Sequence, residues 1–342
     1  MGCAITDLLA GKEIEIEDLK GKTLAVDAFN QLYMFISTIR QPDGSLLTDS
    51  KGKVTSHLSG LFFRFTKLLQ QGLKFVFVFD GEVPKLKNKE RERRKDLKIL
   101  AQKKYEEASA EGNVEEMKKY AARTSKLTLD MLEEAKNLIH ALGQPIIQAP
   151  SEGEAQAAEL VKKGLCYAVM SQDADSLLFG TPVLVKNLSI TKRKKQASKL
   201  AYEKINPVII NLRENLQILG LSQDQLIVLG ILVGTDFNLG GIKGIGPKKA
   251  LKLVKEYKND FEALFKQAKW NEHFDYDWKE VFSIFKSMKI AEEIKLEWRQ
   301  PDKDEIIRIL VENHDFSQVR IEEALKNLTA ADKAQKGLSD FF

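Results

Sequence analysis

Asp173 and Asp175 stand one residue apart in "MSQDADSLLFG", where an apolar run ends. Three more segments carry acids in comparable places: Asp27 closes "KTLAVDAF", Asp80 closes "KFVFVFDG", and Glu152 and Glu154 open "SEGEAQAAELVKKG" just after "QPIIQAP". In extended chain, residues i and i+2 point to one side, so Asp173 and Asp175 are expected to address one point in space. Six carboxylates gathered together repel by about 4 kcal/mol per close pair at an effective dielectric of about 20. Either several stay protonated, or divalent cations sit among them. Oxygen ligands without His or Cys select magnesium or manganese. Two such ions about 4 Å apart can activate a water on one side of a phosphodiester and stabilise the leaving oxygen on the other. A seventh candidate, Asp236 in "GILVGTDFN", precedes a glycine-rich stretch.

Each acid also has a local reading. Asp27 and Asp80 suit helix N-caps or turns, and Asp236 a turn. Ser151 and Glu154 form an S-x-x-E capping box. Glu152 has no such account. What sets the group apart is its joint occurrence at strand ends, because ligands of an open parallel sheet collect beyond the carboxyl ends of its strands.

Stepping along the chain, "KTLAVDAF" and "KFVFVFDG" are β-prone runs, and "TSHLSGLFFRFTKLLQQG" between them has helical spacing with Gly72 to end it. Strand, crossover helix and strand make a parallel unit. "QPIIQAP", "CYAVMSQD" and "PVLVKN" read as further strands, with a helix after the first of them. Fold class is therefore α/β: a central, mainly parallel sheet flanked by helices. Residues 85–140 read instead as an inserted helical hairpin, highly charged and interrupted at "EGN" (111–113). From 204 onward the pattern is mainly helical, and 328–342 is expected to be a flexible tail.

Composition narrows the class. The chain has 342 residues, 43% of them apolar, and a net charge of only +4, but residues 85–104 hold ten Lys or Arg against three acids. Such concentration points to an anionic partner, with a solvated helix of i,i+4 ion pairs as the bland reading. Two cysteines exclude a disulfide framework and a cysteine-rich zinc site. No apolar run approaches the roughly 20 residues of a membrane helix, so an intracellular location without a membrane is expected. "GGIKGIGPKKALKLVKEY" sets Gly244 and Gly246 in a tight turn, then Pro247 at a helix start followed by Lys248, Lys249, Lys252 and Lys255. Glycines permit close approach, the helix start offers N–H groups to a phosphate, and lysines add salt-sensitive affinity for DNA.

"VDAFNQLYMF", "FVFVFDGEVPKLK", "APSEGEAQAAELVKKG", "SQDADSLLFG", "GTDFN" and "GIKGIGPKKA" together resemble the blocks of the structure-specific 5′ nucleases, most closely the flap endonucleases of archaeal type. The resemblance runs from Gly2 to about residue 260 and returns in the last eight residues. It implies one nuclease domain over 1–327: an N-terminal block to about 84, a helical arch over about 85–130, an internal block over about 145–257 and a helical part to 327. It implies a structure-specific 5′ flap endonuclease and 5′ exonuclease acting on branched DNA in replication and repair. Asp27, Asp80, Glu152, Glu154, Asp173, Asp175 and Asp236 would hold two magnesium ions, with manganese as a substitute. Lys87 and Arg94 would stabilise charge on the scissile phosphate, though "RERRKD" offers Arg91 and Arg93 beside Arg94. Tyr33 would stack on a base, Arg40 would contact DNA, and the glycine hairpin would hold a potassium ion. Gly2, freed of Met1, would be an amino terminus near the site, a better reading of "MGC" than lipidation. Localisation would be cytoplasmic in an archaeon, nuclear in a eukaryote. The tail residues Gln335, Leu338, Phe341 and Phe342 follow the Q-x-x-h-x-x-a-a pattern of sliding-clamp ligands. "DADS" is also shared with phosphatases of the haloacid dehalogenase type, which need neither arch nor hairpin.

Overall fold

The structure, a computed structural model, describes residues 5–121, 124–188, 194–195, 202–203 and 206–339. Its strands are β1 (Lys12–Glu13), β2 (Thr23–Asp27), β3 (Lys74–Phe79), β4 (Ile146–Gln148), β5 (Ala168–Met170), β6 (Val183–Lys186), β7 (Lys194–Lys195), β8 (Tyr202–Glu203) and β9 (Val208–Asn211). All but the β7–β8 pair join a seven-stranded sheet of order β1-β9-β6-β5-β2-β3-β4. From β6 through β4 every neighbour is parallel; β9 runs antiparallel to β6, and β1 to β9. β9 lies in a stretch whose pattern predicts mainly helix; the β-branched Val208, Ile209 and Ile210 favour the strand instead.

Residue alternation along β3 divides the core. Phe75, Phe77 and Phe79 enter one layer and Val76 and Val78 the other, so a strand covered on both faces reads as one continuous apolar run. The phenylalanine layer packs against α1 (Ala28–Thr38), α2 (Ser56–Gln70), α5 (Leu129–Ala141), α13 (Lys303–Ile307) and α14 (Gln318–Ser339). The valine layer packs against α6 (Gly153–Lys162), α7 (Asp175–Leu178), α8 (Leu212–Leu219), α9 (Gln223–Val233), α10 (Pro247–Tyr257), α11 (Phe261–Gln267) and α12 (Trp278–Ser287). α9 is apolar all round because it is enclosed there, with Leu226 to Leu232 buried. No single helix among the described residues is long and apolar enough to cross a membrane.

Two helices stand outside both layers. α3 (Asn88–Ala110) and α4 (Val114–Ala121) form the expected hairpin, turning at Gly112, whose φ of +67° suits glycine. α14 continues to Ser339, and Leu328 is buried, so helical structure passes the boundary expected at 328; "AADKAQK" is rich in helix formers.

Candidate active site

Strands β2, β3 and β5 run the same way, and the acids collect where they end. Asp27 is both the last residue of β2 and the N-cap of α1, its Oδ1 accepting the Asn30 N–H at 3.0 Å. The cap reading and the cluster reading are thus compatible in one side chain. Asp80 follows β3, and its Oδ1 accepts the Gly153 N–H at 2.7 Å. A Cβ on Gly153 would stand 2.7 Å from that same oxygen, so glycine is what lets the start of α6 approach Asp80.

Two local expectations are corrected here. The N-cap of α6 is Glu152 rather than Ser151, which moves the register by one and removes the capping box; Ser151 Oγ donates to Glu82 O at 2.9 Å instead. Glu154 is thereby left to the cluster. Likewise β5 stops at Met170 and Asp175 begins α7, so Asp173 and Asp175 are brought round by a turn and not by strand alternation. Both still act on Glu154. Asn30 Nδ2 donates to Asp173 Oδ2 at 2.9 Å, tying α1 to that turn.

Four of these carboxyls are raised. Burial first, then Asp80 and Asp173, push the Asp27 carboxyl up to about 7 against the Asn30 N–H and Lys87. Glu154 stands well above the ordinary range through burial and the charges of Asp175, Asp27 and Asp173. Burial also raises Asp80 and Glu152, with Asp236 adding to both and Lys87 opposing. All seven candidates therefore belong to one electrostatic group.

The arch supplies the counter-charge. Lys87 Nζ lies 2.6 Å from Glu152 Oε2 and 3.5 Å from Asp236 Oδ2. Burial works against its charge, but Glu152, Asp236 and Glu154 outweigh burial and hold the ammonium above its ordinary value. Arg94 Nη2 donates to both oxygens of Asp236 at 2.9 Å. Of the neighbouring arginines it is Arg94 that reaches the acids; Arg93 pairs with Glu90. Among the described residues no three Asp, Glu, His or Cys side chains stand close enough to be a finished ligand set. The donor chemistry nonetheless fits a hard divalent cation, since every candidate ligand is a carboxylate and their mutual repulsion is what a dication relieves.

Around this centre the other candidates divide. Tyr33 is 37% exposed on α1, with Lys98 Nζ 5.1 Å from its ring centre. Burial, then the charges of Arg94 and Lys126, hold the Lys98 ammonium below its ordinary value, which places Lys98 beside Arg94 on the arch. Arg40 donates three hydrogen bonds within the protein, to Ser37 O at 3.2 Å, Gly44 O at 2.8 Å and Ser125 Oγ at 2.5 Å, which leaves two of its five N–H groups over. That geometry makes it a tie between the end of α1 and the segment following the arch. In the hairpin between α9 and α10, Gly244 has a φ of +81°, Gly246 is the N-cap of α10 and Pro247 follows at its start. Lys248 and Lys249 are exposed there, with Lys249 Nζ 3.3 Å from Gly244 O. Gly2, Phe341 and Phe342 lie outside the described residues, as do the side chains of Gln335 and Leu338.

The chain matches the XPG N-terminal domain over residues 4–101 and the XPG I-region over residues 143–236. It is 49% identical to flap endonuclease 1 of Pyrococcus abyssi over 336 residues, covering 98% of this chain and 96% of that protein. The chain belongs to the flap endonuclease family. Flap endonuclease 1 of Hyperthermus butylicus is 47% identical over 97% of this chain and 95% of its own. The solved flap endonuclease-1 of Methanococcus jannaschii superposes with a TM-score of 0.77 at 40% identity, covering 98% of this chain and all of that one. The catalytic core of Rad2 with a DNA substrate does so with a TM-score of 0.70 at 25% identity, over 96% of this chain. This flap endonuclease is accordingly a structure-specific 5′ flap nuclease, a metal-dependent phosphodiester hydrolase acting on branched DNA.

Several residues that shape this site escaped the sequence reading. Asn30 was visible only as the Asn three places after a capping Asp, Gly153 only as a glycine wedged between two acids, and Glu90 only as an acid in the most basic helix.

Proposed function

We propose that this flap endonuclease cuts DNA beside the junction of duplex and 5′ single strand, and trims 5′ ends as an exonuclease, with two magnesium ions held by Asp27, Asp80, Glu152, Glu154, Asp173, Asp175 and Asp236. Manganese would substitute. The observation that carries the reading is the convergence of these oxygen ligands from five separate segments on one edge of the sheet. Bound divalent ions supply Lewis acidity at the phosphodiester.

The chain's own residues do the rest. Lys87 and Arg94 offer N–H donors and positive charge to the scissile phosphate once its arrival draws them from Glu152 and Asp236. Tyr33 presents a ring face for a base beside the cut. The α10 start, with Lys248 and Lys249, grips the duplex backbone, where a potassium ion would also sit; specificity then follows junction shape more than base sequence. Products are a 5′ phosphate and a 3′ hydroxyl. The tail pattern Gln335, Leu338, Phe341 and Phe342 recruits a sliding clamp. Placement inside the cell, cytoplasmic in an archaeon, follows from the DNA substrate.

The test is chelation and restoration. A 5′-flap duplex is offered to protein stripped with EDTA, then with magnesium returned, and product ends are read by phosphatase sensitivity. Cleavage should vanish and return; cutting that survives complete chelation would refute the metal reading.

A further inference from the structure

Glu90 is an acid in a run of ten Lys or Arg, and it is only 2% exposed. A carboxylate buried to that degree persists only when paired and hydrogen-bonded. Arg93 donates to it twice, Nε to Oε2 at 2.8 Å and Nη2 to Oε1 at 3.0 Å. Arg94 donates once, Nε to Oε1 at 2.6 Å. Burial works against the Glu90 charge, but the two guanidinium groups hold its carboxyl below the ordinary range.

The geometry at Arg94 gives this pairing a consequence. A guanidinium is planar, so fixing Nε on a buried acceptor fixes the direction of the opposite edge. In Arg94 that edge, through Nη2, meets Asp236 in the acidic cleft. Lys87 has no such buried acceptor behind it among the described residues: its ammonium is held by the cleft acids themselves, with the Phe237 ring centre 5.8 Å away. If phosphate or a metal ion engages Asp236, Lys87 is redirected, whereas Arg94 remains aimed.

We infer that Glu90 is a positioning residue for flap cleavage, holding Arg94 by Nε so that its outer edge faces the scissile phosphate. Arg93, paired to the same carboxylate, neutralises it and keeps it in place. Without Glu90 two adjacent arginines lose the acid they share, and Asp236 alone is left to hold Arg94. The inference rests on the reading of Arg94 as a phosphate contact.

A double-mutant cycle separates the two. Single-turnover cleavage of a 5′-flap duplex in magnesium is measured for wild type, Glu90→Gln, Arg94→Ala and the pair. Duplex affinity without magnesium and the thermal midpoint are recorded alongside. Glu90→Gln should slow cleavage about ten- to hundredfold, as expected for losing a charged hydrogen bond that orients a transition-state contact. Affinity should change less than about threefold, and in the Arg94→Ala chain the same change should cost less than about twofold. If Glu90→Gln folds poorly, Glu90→Asp keeps the charge but shortens the reach, and its smaller loss should likewise disappear beside Arg94→Ala. Equal fold-losses in both backgrounds mean that Glu90 acts on the fold and overturn the inference. Wild-type cleavage by Arg94→Ala overturns the reading beneath it instead.

Discussion

At the carboxyl edge of the sheet, Asp27, Asp80, Glu154 and Asp175 set acid against acid. Among α2, α5 and the turn before α14, a second buried group alternates base with acid: His57 Nε2 is 3.2 Å from Glu134 Oε2, His314 Nε2 is 3.4 Å from Glu134 Oε1, and His314 Nδ1 is 2.9 Å from Asp49 Oδ2. The pKa directions are opposite. In the first group Asp27, Asp80 and Glu154 are raised, Asp27 to about 7. In the second, burial pushes Glu134 and Asp49 up, but the histidines and, at Asp49, the Lys51 and Lys53 N–H groups outweigh it and hold both below the ordinary range. A self-compensating cluster stabilises the fold as it stands; a frustrated one is stabilised by what it binds.

The largest expected effect lies in the first group. Asp175→Asn should reduce cleavage by roughly a thousandfold, the scale of losing an essential charge-stabilising group, while metal-free thermal stability holds or rises because a repelling charge has gone. A marked fall in the midpoint would make the acid cluster structural and erase the contrast. Next comes linkage to metal. Magnesium at about a hundredfold above its Kd should stabilise the wild type by about 2.7 kcal/mol in denaturant titrations. That gain should shrink in Asp175→Asn and persist in Glu134→Ala; equal gains in both would place the ion elsewhere.

Glu134→Ala attacks the second group. It removes the carboxylate that faces both His57 and His314 and should lower stability by about 1–2 kcal/mol, while cleavage per folded molecule stays within about twofold. A large loss of turnover without unfolding would show that the two clusters are coupled. The smallest effect is that of pH. Burial holds His57 below its ordinary value despite Glu134, so as pH falls through about 6.5 the unfolded chain takes up the proton first and stability declines. Glu134 and Asp49, held low, keep their contribution until the pH drops into the carboxylate range and through their folded values. Asp27, raised to about 7, takes up its proton in the folded chain over the same window and adds stability as pH falls, so the histidine contribution is read as a difference: in urea titrations between pH 7.5 and 5.5, His57→Asn should lose less stability, or gain more, than wild type.

The same contrast shows what was legible beforehand. The strands at 22–29 and 74–81, the arch, and the glycine hairpin were all readable, because strand alternation, helical spacing and turn glycines are properties of neighbouring residues. Six of the seven acids of the active site were readable too, since each ends or follows a strand; Asp236, in the turn after α9, was readable only from the glycine-rich stretch beside it. The His57–Glu134–His314–Asp49 group was invisible: its members span residues 49 to 314 and carry no motif. Ser151 shows the opposite failure, a convincing local capping signal overruled when α6 begins one residue later so that Gly153 can reach Asp80.

Sequence by itself determined the order of elements, the placement of most candidate ligands at or just beyond strand ends, and the concentration of positive charge in the arch. Tertiary structure decided which of the arch arginines faces the acids, that a buried Glu90 holds it, and which ionisable clusters repel and which compensate. Periodicity records how a residue sits on its own element, whereas the sign and strength of a charge interaction depend on distance and burial between elements far apart in the chain.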